Sequence, residues 1–216
     1  MIWRVIFVLA LGLFFTWLPG LRYVLGNYAN GPNLFSQKII MLLIAALACR
    51  WRGFSLDDIG IRFPSKQVNW PRLFLVLCGA HIATAFTYAV FDIRTSIETY
   101  AITRSAYWST AFFSIVEEIY YRGWIQAELR RALRREGASE SGSVIWINAA
   151  FFGFAHASWI TQGLPWEAAC AMVINTTVLG LVLATYRETS GSLVPSMAAH
   201  VVVNLWAELV SSLSSN

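Results

Sequence analysis

Charge is what this chain has least of. Only 13% of its 216 residues are charged, while 57% are hydrophobic and the mean hydropathy is +0.55. Soluble domains carry about 25% charged residues. A single water-soluble core could not enclose so much apolar surface, which makes the bilayer the expected solvent. Cysteine is scarce as well: Cys49, Cys78 and Cys170 are odd in number and sit in apolar stretches. That argues against a disulfide framework and leaves them as small embedded residues without chemistry. There are no internal repeats and no low-complexity tracts. H-E-x-x-H is absent, so a standard zinc protease is not indicated. No small-x-small cleavage site precedes Leu21-Arg22. The opening run "MIWRVIFVLALGLFFTWLPG", with its single Arg4, therefore reads as a retained membrane span rather than a signal peptide.

What the chain does have is a succession of apolar runs. At about 20 residues per spanning helix, seven spans and their loops fill the whole length. Candidates run near Val5–Leu18, Leu34–Cys49, Leu73–Phe91, Tyr107–Ile125, Val144–Ile160, Ala168–Tyr186 and Leu193–Leu213. The second is short, which leaves room for six or eight. The expected fold is all-α: a polytopic transmembrane helix bundle forming one integral-membrane domain over residues 1–216. Residues 211–216 read as a frayed tail. The loop "WRGFSLDDIGIRFPSKQVNWP" carries no catalytic pattern, and "LRRALRREG" reads as a helical extension leaving the membrane and ended by Gly137.

Lys and Arg set the orientation. With the N-terminus inside, eleven fall on the inner side, from Arg4 through Arg130, Arg131, Arg134 and Arg135 to Arg187. Four (Arg22, Lys38, Arg94 and Arg104) fall outside, and Arg122 lies at the membrane. This positive-inside bias explains the net charge of +4 as a solvated cytoplasmic face beside anionic lipid, not as a nucleic-acid surface. The ten tryptophans and eight tyrosines read as interfacial or core residues.

Against this background "SIVEEIYYRGW", Ser114 to Trp124, stands out. A carboxylate at the bilayer centre costs about 2.5–3.5 kcal/mol on insertion scales, so two in succession need a reason. On a helix Glu117 and Glu118 point about 100° apart and cannot share a role. Glu118 and Arg122 are i,i+4 and suit an ion pair. Glu117 is aimed elsewhere, with Ser114 and Tyr121 near its face. "FFGFAHAS" puts His156 in the fifth span one turn after Phe152, and "SGSLVPSMAAHVVVN" puts His200 and Asn204 on one face of the last. Each has a bland alternative: an interhelical salt bridge for the charged trio, packing for His156, and interhelical hydrogen bonds for His200 and Asn204. Asn148 and Asn175 read as such hydrogen bonds, and His81 as packing or a polar lining. Ser196 shares the His200 face, but no base accompanies it.

Depth tests whether these residues can meet. At 1.5 Å per residue, Glu117 lies about 20 Å from Arg130, His156 about 20 Å from Ser143, and His200 and Asn204 about 13 and 20 Å from Gly191. All three helices are anchored on the same side, so one polar cavity can hold the set. A glutamate with a histidine can hold and deprotonate a water, and a second histidine with an asparagine can donate to an oxyanion.

The ordered set Glu117-Glu118-x-x-x-Arg122, Phe152-x-x-x-His156 and His200-x-x-x-Asn204 resembles the CAAX protease and bacteriocin-processing (CPBP, or Abi) family of intramembrane proteases. "GLVLATYRETSGSLVPSMAAHVVVN" resembles the family's third block, and "SLDDIGIR" its segment between early spans. The motif-bearing core covers about residues 107–206. The resemblance implies that Glu117 and His156 activate water, that His200 and Asn204 form the oxyanion site, and that Glu118 and Arg122 support them. It implies an endopeptidase acting on a membrane-anchored protein or peptide in the lipid bilayer, in a multi-pass protein of a bacterial inner membrane. Members have often been labelled metalloproteases, but these residues fit a metal-free glutamate mechanism at least as well, so neither cofactor nor metal is expected. The alternatives are a transporter or proton-coupled channel, since intramembrane Glu and His also build ion pathways, and a noncatalytic scaffold. Paired broken helices or repeat symmetry, the usual mark of a transporter, are not visible.

Overall fold

The computed structural model describes residues 6, 10, 32–90, 104–134, 140–157 and 166–214, and among them every regular element is helical. Apart from residues 6 and 10, the expected first span lies outside the described residues, as does Gly137. Numbered along the described chain, the elements are α1 (Pro32–Arg52), α2 (Trp70–Val90), α3 (Arg104–Glu118), a π-helical segment (Ile119–Ile125), α4 (Gln126–Arg134), α5 (Glu140–His156), α6 (Trp166–Ser190) and α7 (Val194–Ser214). The segment from α3 through α4 is one continuous rod.

Helix ends follow local chemistry. α1 opens on Pro32, whose missing N–H is no loss in a first turn. It closes on Gly53 at φ +66°, with Phe54 N–H donating to Cys49 O (2.9 Å) and Gly53 N–H to Arg50 O (3.2 Å). Those two bonds make a Schellman stop. Asn69 caps α2, its Oδ1 accepting from Arg72 N at 3.0 Å. α6 ends at Gly191, φ +69°, whose N–H donates to Arg187 O at 3.1 Å.

Among the described residues, α6 alone is both long and apolar enough to cross a membrane by length and composition, with shorter apolar stretches at Trp70–Gly79 and Val194–Ala207. That measure does not reproduce the expected seven spans. It covers the described residues only, and within them α3 and α5 are 15 and 17 residues long, short of a full span. Large apolar side chains such as Leu47, Leu75, Trp108 and Trp146 nonetheless face outward.

Two cores hold the rods together. One gathers Met41, Val116, Tyr120, Trp124, Phe151 and Phe152 where α1, the π segment and α5 meet. The other joins Leu73, Leu77, Leu183, Ala199 and Val203 from α2, α6 and α7. At one end of the bundle the 53–69 loop is tied to the α6–α7 turn. Arg187 Nη2 donates to Asp58 O (2.9 Å), Arg62 Nε to Gly191 O (2.9 Å), Ser65 N to Ser190 O (3.1 Å), and Leu193 N to Gly60 O (2.8 Å). Arg130 pairs through its Nε and Nη2 with the two carboxylate oxygens of Glu188, and Arg52 does the same with Glu128. Of the basic residues expected on a solvated face here, Arg50, Arg62, Lys66, Arg72 and Arg134 are exposed, whereas Arg187 is buried, 2% exposed.

α5 packs tightly against α6 at Gly153. A Cβ there would stand 1.9 Å from Thr177 Oγ1 and 2.8 Å from the Val173 carbonyl oxygen. Helix propensity alone favours alanine over glycine by about 0.8–1.0 kcal/mol, whereas overpacking costs about 1–3 kcal/mol. Gly153→Ala is therefore expected to lower the Tm of the detergent-purified protein despite the better propensity. Gly142→Ala, at a site in the same helix with nothing within 4 Å, should leave Tm unchanged or raise it. Thermal unfolding of the two variants side by side checks both signs.

Candidate active site

The site is built on the rod that contains the two glutamates. Directly after Glu118 the helix widens into its π segment, where Gln126 N–H reaches back five residues to Tyr121 O. The same carbonyl accepts Asn148 Nδ2 from α5 at 2.8 Å, the interhelical role expected of Asn148. Such wide turns cluster at functional sites because they re-aim side chains without ending the helix. Here Tyr120 and Trp124 pack edge to face, with ring centroids 5.3 Å apart, beneath the charged residues.

Glu118 is the node. Its Oε1 accepts from Arg122 Nη1 at 2.9 Å and from His200 Nδ1 at 2.8 Å, and both Glu118 and Arg122 side chains are fully buried. The i,i+4 pairing read from the sequence is therefore present, and α7 is drawn into it through His200. Arg122 also lies over the Phe152 ring, 4.0 Å from its centroid, which adds cation–π attraction. Phe152 in turn meets His156 and His200 edge-on, at centroid distances of 4.7 and 5.8 Å. One aromatic ring thus separates and aligns the two histidines.

Glu117 points another way, as the 100° offset requires. One of its oxygens, Oε1, is bonded to Lys38 Nζ of α1. The other, Oε2, faces His200 Nε2 across 3.8 Å. His156 Nδ1 is 2.8 Å from Phe152 O. A carbonyl can only accept, so Nδ1 carries the proton and Nε2 is left as an acceptor in the neutral ring. His200 is fixed in the same sense: Nδ1–H donates to the Glu118 carboxylate, and Nε2 is turned toward Glu117.

Asn204 Nδ2 donates to Ser114 Oγ at 2.9 Å, and Ser114 Oγ donates to Thr110 O at 2.8 Å. Asn204 therefore does make the helix-linking bond of its bland reading, but the amide keeps a second N–H. Glu117, Glu118, Arg122 and His200 form one connected set, with His156 joined to it through Phe152, while Asn204 is tied to α3 through Ser114. Ser196 Oγ donates to Leu193 O at 3.0 Å and stays out of the chemistry. The Asn175 amide nitrogen is buried without an acceptor among the described residues, so the interhelical bond expected there is not seen. The side chain of His81 lies outside the described residues. The three cysteines are unpaired.

Lys38 is the site residue that sequence reasoning misses, because the charge count places it on the outer side. Its depth is a usable signal. Fourteen residues separate it from Arg52, which at 1.5 Å each is about 21 Å, the depth of Glu117 below Arg130.

Among the described residues, no three His, Cys, Asp or Glu side chains converge as a metal-binding group. Residues 102–206 match the family model described as Type II CAAX prenyl endopeptidase Rce1-like, a segment that spans all three motifs. No curated protein and no solved structure matches the chain. Residues 102–206 are thus similar to the Rce1-like type II CAAX prenyl endopeptidases, the CAAX protease grouping that the three motifs resemble.

Proposed function

We propose that the protein is an intramembrane endopeptidase, one integral-membrane domain over its whole length, that hydrolyses a peptide bond of a membrane-associated protein or peptide. The observation that carries this reading is the 3.8 Å gap between Glu117 Oε2 and His200 Nε2. It is too long for a direct hydrogen bond, so it leaves Oε2 free to take a proton from a water and Nε2 free to face an oxyanion. The family match over residues 102–206 supports peptide-bond hydrolysis, and its prenyl endopeptidase description makes a prenylated C-terminal tail the first substrate to test. The outward apolar side chains and the basic end support a multi-pass membrane protein with that end in the cytoplasm.

In this mechanism Glu117 Oε2 takes a proton from the water while His156 Nε2 orients it. The water oxygen bonds to the scissile carbonyl carbon. His200, as an imidazolium, keeps Nδ1–H on Glu118 and offers Nε2–H to the oxyanion, beside the spare N–H of Asn204. Collapse breaks the C–N bond, and the proton on Glu117 passes to the departing amine. Negative charge moves from carboxylate to oxyanion and back, so the site's total charge does not change. Glu118 and Arg122 fix His200 and the rod and take no part in bond making.

Three outcomes follow for detergent-purified protein acting on an internally quenched peptide with a farnesylated CAAX terminus. Glu117→Gln should lose about 10²–10⁴ in rate while remaining folded by size-exclusion chromatography. Asn204→Ala should lower kcat by about 10²–10³ with KM nearly unchanged, because the donor matters only once charge develops. A pure helix tie would instead lower Tm and leave kcat per folded molecule intact. Incubation with a strong chelator followed by buffer exchange should leave activity unchanged, and elemental analysis should find no stoichiometric zinc.

A further inference from the structure

Lys38 belongs to α1, outside residues 102–206, yet its ammonium sits on the carboxylate assigned as the general base. The two side chains are only 12% and 14% exposed. We propose that Lys38 is a positioning residue for the proteolytic reaction, an inference that rests on the reading of Glu117 as general base. By taking Oε1, the ammonium decides which carboxylate oxygen is free, and the free one faces His200. Without that contact the carboxylate can rotate about its last torsion, a broad and soft one, and present either oxygen to any donor in the cavity.

The ion pairs point the same way. Glu118 is held by Arg122 and Glu117 by Lys38. Lys38 is therefore the only cation in the described structure that makes an ion pair with Glu117 without depending on the protonation of a histidine. Removing it takes away the fixed positive charge on Glu117, beside the place where the oxyanion must form. The helix that carries Lys38 is held at both ends. Lys38 meets Glu117 near the start of α1, while Arg52 at its end forms a two-point pair with Glu128 (2.5 and 3.1 Å). Arg131 Nη1 then donates to Arg52 O at 2.8 Å. A flexible lysine stem becomes a fixed point because its helix is clamped to the catalytic rod.

The test compares Lys38→Met, Lys38→Arg, Glu117→Gln and the Lys38→Met/Glu117→Gln double variant on the farnesylated peptide, each rate corrected for folded protein. Lys38→Met should lower kcat about 10–100-fold, the scale of a small misplacement of a reacting group, with KM within about twofold. Lys38→Arg, which keeps the charge and the contact, should recover most of that loss. Normal kcat in Lys38→Met beside an inactive Glu117→Gln overturns this proposal alone, as does a folded Lys38→Arg no better than Lys38→Met. Normal turnover in Glu117→Gln overturns the general-base reading itself. Thermal unfolding of the same four proteins needs no substrate. Partners should give a double variant that loses clearly less Tm than the sum of the single losses, and additive losses mean that the two groups are not coupled.

Discussion

Oε1 of Glu118 accepts two donors from two helices, and the geometry of the whole site depends on it. Arg122 approaches from the same rod and His200 from α7, at 2.9 and 2.8 Å. A fully buried ion pair is a poor source of net stability, because desolvating both charges offsets most of their attraction. Its value lies in what it forbids. With Glu118 occupied, His200 can use only Nε2 toward the cavity, and its ring plane is fixed against Phe152. Loss of either partner would strand a buried charge, at a cost of about 3–5 kcal/mol. The pair thus makes one arrangement of α3 and α7 much better than its neighbours.

The far end of the bundle serves the same register. His200 stands on α7, and the start of α7 is set by the turn at Gly191. There Gly60, at φ +81°, brings its carbonyl to Leu193 N while leaving room for the Arg187 guanidinium; a Cβ on Gly60 would stand 2.5 Å from that group. Within the 53–69 loop, Ser55 and Asp58 cap one another, Ser55 N donating to Asp58 Oδ2 and Asp58 N to Ser55 Oγ. A loop without catalytic residues therefore fixes where the helix bearing His200 and Asn204 begins. Its chemistry is indirect, through the axial position of α7.

How much of this the sequence shows depends on the range of each contact. The Glu118–Arg122 pair is a spacing on one helix, and the shared face of His200 and Asn204 is another, so both can be read directly. Convergence of the motif helices follows from counting residues to the basic end. Choices between helices cannot be read this way. Nothing in the spacing says that His200 takes Glu118 rather than Glu117, or that Asn204 meets Ser114. The π segment is hidden for a related reason: a single wide turn barely disturbs the 3.6-residue pattern over seven residues. The basic end shows the limit of composition. Arginines counted as a topology signal turn out to be partnered, Arg130 with Glu188 of a neighbouring helix and Arg187 with a carbonyl of the loop that folds back over it. Hydropathy likewise favours seven spans, while the described residues contain one helix that is long and apolar enough by itself.

The boundary of the family match gives this its functional meaning. Residues 102–206 supply the two glutamates, both site histidines and Asn204, but leave Glu117 without a fixed cation. α1 lies outside that boundary and supplies one. On the proposed reading, the chemistry of a water, a base and an oxyanion site can stay constant while the orientation of the base is set by a helix free to differ. Separate physical demands explain the split. Bond making needs the histidines and Asn204 held in one rigid register, which the Glu118 node and the Gly191 turn provide. Pointing a carboxylate needs only one charge at the right depth, and any helix clamped beside the rod can present it.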